Sequence, residues 1–74
     1  MRIKADNLDS SMIARMAWED DTMDVVFNSG VLYRYEGVPS RVFMAITEAE
    51  SIGQAFNRLV KKESYPYRRI ALRP

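Results

Sequence analysis

Three short segments between Met12 and Tyr35 alternate apolar with polar residues, and the links between them are too short for anything but hairpins. In 12–18 (MIARMAW), Met12, Ala14, Met16 and Trp18 share one face while Ile13, Arg15 and Ala17 take the other. In 23–27 (MDVVF), Met23, Val25 and Phe27 form the apolar face. In 31–35 (VLYRY), Val31, Tyr33 and Tyr35 lie on one side, Leu32 and Arg34 on the other. The acidic stretch 19–22 (EDDT) is the first turn.

The lengths of the turns fix the register. Directly opposed residues of an antiparallel pair point to the same side. A two-residue loop at Ser29-Gly30 would set Val25 against Arg34 and Phe27 against Leu32, mixing apolar and charged positions. A three-residue loop, Asn28-Ser29-Gly30, pairs Phe27 with Val31, Val25 with Tyr33 and Met23 with Tyr35. It also pairs Asp24 with Arg34 on the opposite face, and puts Gly30 at the left-handed third position such loops favour. The first turn agrees, setting Trp18 against Met23, Met16 against Val25 and Ala14 against Phe27. Both hairpins thus converge on one apolar face.

After the sheet, Pro39 suits the first turn of a helix, where its missing N–H costs nothing. Val42, Phe43, Ile46 and Ala49 then recur at helical spacing. Ser51-Ile52-Gly53-Gln54 reads as a capping box that opens a second helix. Its buried stripe is Ile52, Ala55, Phe56, Leu59 and Val60, and its wet face carries Gln54, Asn57, Arg58, Lys61 and Lys62. The expected fold is α+β: a three-stranded antiparallel meander packed on one face by two C-terminal helices. Residues 1–8 form an N-terminal arm and 64–74 a basic tail, with 68–72 (RRIAL) either a short extra strand or an ordered end. Arm or tail would then cover the second sheet face, using Ile3, Leu8, Ile70 and Leu72.

With 74 residues there is room for one domain and a small core. At 47% hydrophobic and 28% charged, the chain is too apolar for disorder and too charged for a membrane span. The absence of cysteine and histidine removes thiol nucleophiles, zinc-thiolate sites, the usual general base and the commonest metal ligand. No catalytic residue, cofactor or metal is therefore expected. Asp20 and Asp21, adjacent in a tight turn, should point apart and stay solvated. MRIKADN lacks the apolar run of a secretory signal, so a cytoplasmic location is the expectation.

A net charge of +1 hides two unlike parts. Residues 1–50 carry five basic and nine acidic side chains, whereas residues 51–74 carry six basic and one acidic. Within the cationic part, 61–69 (KKESYPYRR) interleaves cations with tyrosines. Nucleic-acid sites use that mixture, because cations neutralise phosphates and aromatic faces stack on unpaired bases. The candidate binding residues are Arg58, Lys61, Lys62, Tyr65, Tyr67, Arg68 and Arg69. Tyr33, Tyr35 and Trp18 fall on the face the helices cover and read as core.

Several of these segments, in order, resemble the KTSC domain. The matching residues are Ser10-Ser11-Met12-Ile13, Val25-Val26-Phe27-Asn28-Ser29-Gly30, Tyr33-Arg34-Tyr35, Val38-Pro39, Ala49-Glu50-Ser51-Ile52-Gly53, Phe56-Asn57 and Tyr65, and the resemblance spans residues 8–67. Ala17-Trp18 stands where a glycine-tyrosine pair is expected, and Glu50 where proline is common. That module is named from the C-terminus of some lysyl-tRNA synthetases and also occurs as a stand-alone bacterial or phage protein. The resemblance implies RNA as a partner and assigns no catalytic residue.

Two functional expectations follow. One is a small non-catalytic module that binds RNA, or another anionic partner, through its basic and aromatic C-terminal surface. The other is a protein-interaction module, such as a phage or bacterial regulator of a host protein, using Ile13, Arg15, Val26, Leu32 and Arg34 on the second sheet face and open to self-association.

Overall fold

The computed structural model describes residues 2–6, 8 and 10–70. Five strands form one antiparallel sheet in chain order: β1 (Arg2–Ala5), β2 (Ile13–Glu19), β3 (Thr22–Phe27), β4 (Leu32–Glu36) and β5 (Tyr67–Ile70). Between β4 and β5 run helix α1 (Ser40–Thr47) and helix α2 (Ile52–Phe56), the latter widening into a π-helical turn over Asn57–Lys61. The class is α+β, with five strands rather than three. The N-terminal arm contains a strand, Arg2–Ala5, and the segment 68–72, open in sequence to either a short strand or an ordered end, joins a strand that begins at Tyr67; Ala71 and Leu72 lie outside the described residues.

The central hairpins adopt the register that apolar matching dictates. Trp18 opposes Met23 and Met16 opposes Val25; across the second hairpin Met23 opposes Tyr35, Asp24 opposes Arg34 and Val25 opposes Tyr33. In the first turn Asp20 and Asp21 both have positive φ, +50° and +60°, the two-residue geometry that matches strand twist. In the second, the Gly30 N–H donates to the Phe27 carbonyl at 2.8 Å, and Gly30 has φ +94°. Only glycine adopts that conformation without a steric penalty.

One pairing differs. Ile13, not Ala14, opposes Phe27, because a β-bulge falls between Ile13 and Arg15. Ser10 fixes this end of β2: its Oγ accepts from the N–H groups of both Met12 and Ile13 at 3.1 Å. The Asn28 side chain then donates to the Ser10 carbonyl at 3.2 Å, tying the bulge to the second turn. The extra residue reverses the alternation, so Ile13 turns from the second face into the core and is 0% exposed.

The core lies between one sheet face and the helices. Met16, Met23, Val25 and Tyr35 meet Val42, Phe43 and Ile46 of α1 and Ile52, Ala55, Phe56 and Val60 of the second helical segment. Ile3 and Ala5 of β1 pack against the margin of this cluster. At α2 the Ser51 side chain accepts from the Gln54 N–H at 3.4 Å, which is one of the two bonds of a capping box. The Trp18 indole N–H donates to the Val38 carbonyl at 2.7 Å and so pins the β4–α1 link to the sheet.

Arm and tail extend the sheet sideways instead of covering its second face. Register places Arg2, Lys4, Arg15, Ala17, Asp24, Val26, Leu32, Arg34, Arg68 and Ile70 on that face. Among the described residues no further layer covers it.

Candidate functional site

Register brings β5 to the site. Tyr67 opposes Tyr35 and Arg69 opposes Tyr33, so Tyr67 and Arg69 point to the helix side while Arg68 and Ile70 point away. The helical segment ends at Lys61. A tight reversal follows, with the Ser64 N–H donating to the Lys61 carbonyl at 3.2 Å and Ser64 at φ +57°. The Glu36 N–H then donates to the Pro66 carbonyl at 2.9 Å, which starts the new strand. The outer part of the β4–β5 surface therefore extends past the end of the helix.

Five aromatic rings close a circuit there. Phe27 meets Tyr33 at 5.6 Å between centroids, Tyr33 meets Tyr67 at 5.6 Å, Tyr67 meets Tyr35 at 5.3 Å, Tyr35 meets Phe56 at 5.6 Å, and Phe56 meets Phe27 at 5.8 Å. Four of the contacts are edge-to-face, the arrangement aromatic quadrupoles prefer. The circuit runs from the interior to solvent: Phe56 and Tyr35 are buried and Tyr67 is exposed. Burial, reinforced by the neighbouring Tyr67 and Tyr33, pushes the Tyr35 hydroxyl up to about 12.

Two clefts adjoin the circuit. One, about 570 Å³, is lined by Phe27, Tyr33, Tyr35, Tyr65 and Tyr67 together with Val60, Lys61, Ser64 and Pro66. The second, about 460 Å³, is lined by Ser11, Met12, Asn28, Ser29, Arg69, and again Phe27, Tyr33 and Lys61. Aromatic faces beside cations can stack planar groups and hold a negative charge next to them.

Of the seven residues that sequence points to, Lys61, Tyr65, Tyr67 and Arg69 line these clefts. Arg68 does not join them. It stands on the opposite sheet face, directly across from Arg34. Arg58, exposed on the helical segment, and Lys62, exposed just past its end, line neither cleft. Tyr33, read from sequence as core, is half-buried and lines both clefts, whereas Tyr35 is core as read. Phe27, Asn28 and Ser29 are additional; the pairing of Tyr33 with Arg69 is what brings that loop to the site.

On the second face, Arg15, Val26, Leu32 and Arg34 do lie together, without Ile13. Arg34 grips Asp24 through two parallel bonds, Nε to Oδ1 at 2.7 Å and Nη2 to Oδ2 at 3.0 Å. The Asp24 carboxylate, by this hydrogen bond and then by its charge, raises Arg34 above its ordinary value. Arg2 makes a looser pair with Glu19 at 3.5 Å. Among the described residues no group of three or more acidic side chains is placed to hold a metal ion, and no helix is long and apolar enough to cross a membrane.

A family model described as the KTSC domain matches residues 9–65. The chain belongs to the KTSC domain family. This KTSC domain is similar to a protein of Stutzerimonas stutzeri (strain A1501), named "Uncharacterized protein", at 43% identity over 65 residues, covering 85% of this chain and 92% of that one. Its fold is similar to the crystal structure of a KTSC domain protein from Yersinia pestis, with a TM-score of 0.79 and 27% identity over 96% of this chain and 100% of that one. The Ser10 bonds, the Asn28 tether and the left-handed Gly30 give structural reasons for residues of the KTSC-like pattern around both ends of the first hairpin.

Proposed function

We propose that this KTSC domain is a non-catalytic module that binds single-stranded RNA in the paired clefts beside β5. Tyr67 carries the reading: it is 62% exposed, yet two neighbouring tyrosines hold its ring in place. An aromatic face already ordered loses little conformational freedom when a base stacks on it. Lys61 and Arg69 flank the circuit and supply the charge that phosphates require. A cytoplasmic location goes with this reading.

Fluorescence anisotropy of an end-labelled twelve-residue oligouridine at low salt tests the reading. Binding that weakens steeply as salt rises supports it. No binding to this oligomer and no gel shift with bulk tRNA at low salt overturns it.

The uncovered sheet face supports a second reading, a protein-interaction module such as a regulator of a host protein. There Leu32 and Ile70 stand side by side with Val26 one strand over, bordered by Arg15 and Arg34. A pull-down from host lysate with and without nuclease separates the two, because only an RNA-bridged partner set disappears on nuclease treatment.

A further inference from the structure

The two clefts are not alike, and they are not separate. Both include Phe27, Tyr33 and Lys61, so they meet along that line and form one groove. At one end Tyr65 and Tyr67 offer ring faces above the buried Tyr35 and Val60, with Ser64 and Pro66 beside them. At the other end Ser11, Asn28, Ser29 and Arg69 offer hydroxyls, an amide and a guanidinium beside the apolar Met12 and Val31. Asn28 is fixed in place by its side-chain bond to the Ser10 carbonyl at 3.2 Å and by its own N–H, which donates to the Met12 carbonyl at 2.8 Å. Each cleft falls within roughly 300–1,000 Å³, the usual range of small-ligand sites.

Resting on the RNA reading above, we propose that this groove takes two successive nucleotides of an unpaired strand in unlike ways. The first base stacks at the tyrosine end, against Tyr67 and Tyr33. The second lies at the Asn28–Ser29 loop, where the polar groups meet the hydrogen-bonding edge of the base rather than its face. The phosphate between them sits at the junction, where Lys61 lines both clefts, with Arg69 on its loop side across from Tyr33. The charge complementarity is local: the loop end adds one cation, the junction holds another, and no acidic side chain lines either cleft. A duplex fits this arrangement poorly, because its bases offer neither a free face nor a free pairing edge.

Backbone amide shifts of isotope-labelled protein, titrated in parallel with uridine 5′-monophosphate, the dinucleotide UpU and the twelve-residue oligouridine, test the proposal. UpU should move two groups of amides, Tyr65–Arg69 and Ser11 with Asn28–Ser29, whereas the mononucleotide moves the tyrosine group alone. UpU should also bind at least tenfold more tightly than the mononucleotide. If the oligomer binds at the tyrosine group but neither it nor UpU moves Asn28 and Ser29, the two-nucleotide groove is wrong and RNA binding stands. If the oligomer moves no amide of either group, RNA binding at these clefts fails, and the groove proposal fails with it.

Discussion

The rings of Tyr35 and Tyr67 lie 5.3 Å apart with their planes inclined by only 33°, yet one is 5% exposed and the other 62%. Their strands pair directly and both rings point to the helix side, but the helical segment ends at Lys61, leaving one side chain in the core and its cross-strand neighbour at the surface. The consequence is a division of labour that mutation can separate.

Tyr67→Ala should leave stability nearly intact, with a loss below about 1 kcal/mol, as expected for an exposed cross-strand aromatic. RNA affinity should fall at least fivefold, because stacking of a base on an aromatic ring is worth about 1–3 kcal/mol. Phe56→Ala, by contrast, removes a ring that is 0% exposed and should cost about 3–5 kcal/mol of folding free energy. Urea denaturation and anisotropy on the same preparations read both effects.

Lys61→Gln and Arg69→Gln should each flatten the salt dependence of binding. The slope of log K against log salt is about −0.7 per phosphate contact for single strands, so each variant should reduce it by about 0.7. Arg68→Gln is the internal comparison. It removes the same charge from the opposite sheet face and should leave the slope unchanged.

Alkaline pH should weaken the fold through Tyr35. Its hydroxyl is held at about 12 in the folded protein, against 10.0 ordinarily. Below pH 10 the group is neutral in both states and its contribution is fully present. Between pH 10 and 12 the unfolded chain ionises while the folded one does not, so stability falls across this window. Comparing urea midpoints of the protein and of Tyr35→Phe over pH 9–12 isolates this contribution. Phenolate absorbance at high pH that is present in the protein and missing from Tyr35→Phe confirms the assignment.

The first turn holds an avoidable strain. Asp21 sits at φ +60°, a conformation L-residues reach at some cost, although aspartate tolerates it better than most. Asp21→Gly should stabilise the protein by about 0.5–1 kcal/mol, since glycine is favoured at the second position of this turn. Gly30→Ala should do the reverse, losing about 1–2 kcal/mol, because Gly30 stands at φ +94°. Thermal melts of the two variants should shift in opposite directions.

The central hairpins were legible because two independent constraints, turn chemistry and the match of apolar faces, admitted one register. The pairs Val25–Tyr33, Met23–Tyr35 and Asp24–Arg34 follow from Gly30 and from alternation alone. The bulge was not legible: no glycine or proline marks it, and the signal is the Ser10 hydroxyl, which acts three residues away. The alternation of Arg2, Ile3, Lys4 and Ala5 was there to read, but four residues carry little periodicity. The site was half legible for a related reason. Cations interleaved with tyrosines gave away Lys61, Tyr65, Tyr67 and Arg69, but only the register of β5 on β4 sends Arg68 to the far side and brings Tyr33 in. Thirty residues, including both helices, lie between those strands, and local sequence carries no register across such a span.

β1 and β5 are the outermost strands, and each bears two cations, Arg2 and Lys4 on one face of β1, with Arg2 loosely paired to Glu19, and Arg68 and Arg69 on opposite faces of β5. Lys4, Arg68 and Arg69 thus set positive charge along both outer strands, the kind of edge charge that disfavours pairing of two copies. That protection weakens as counterions accumulate.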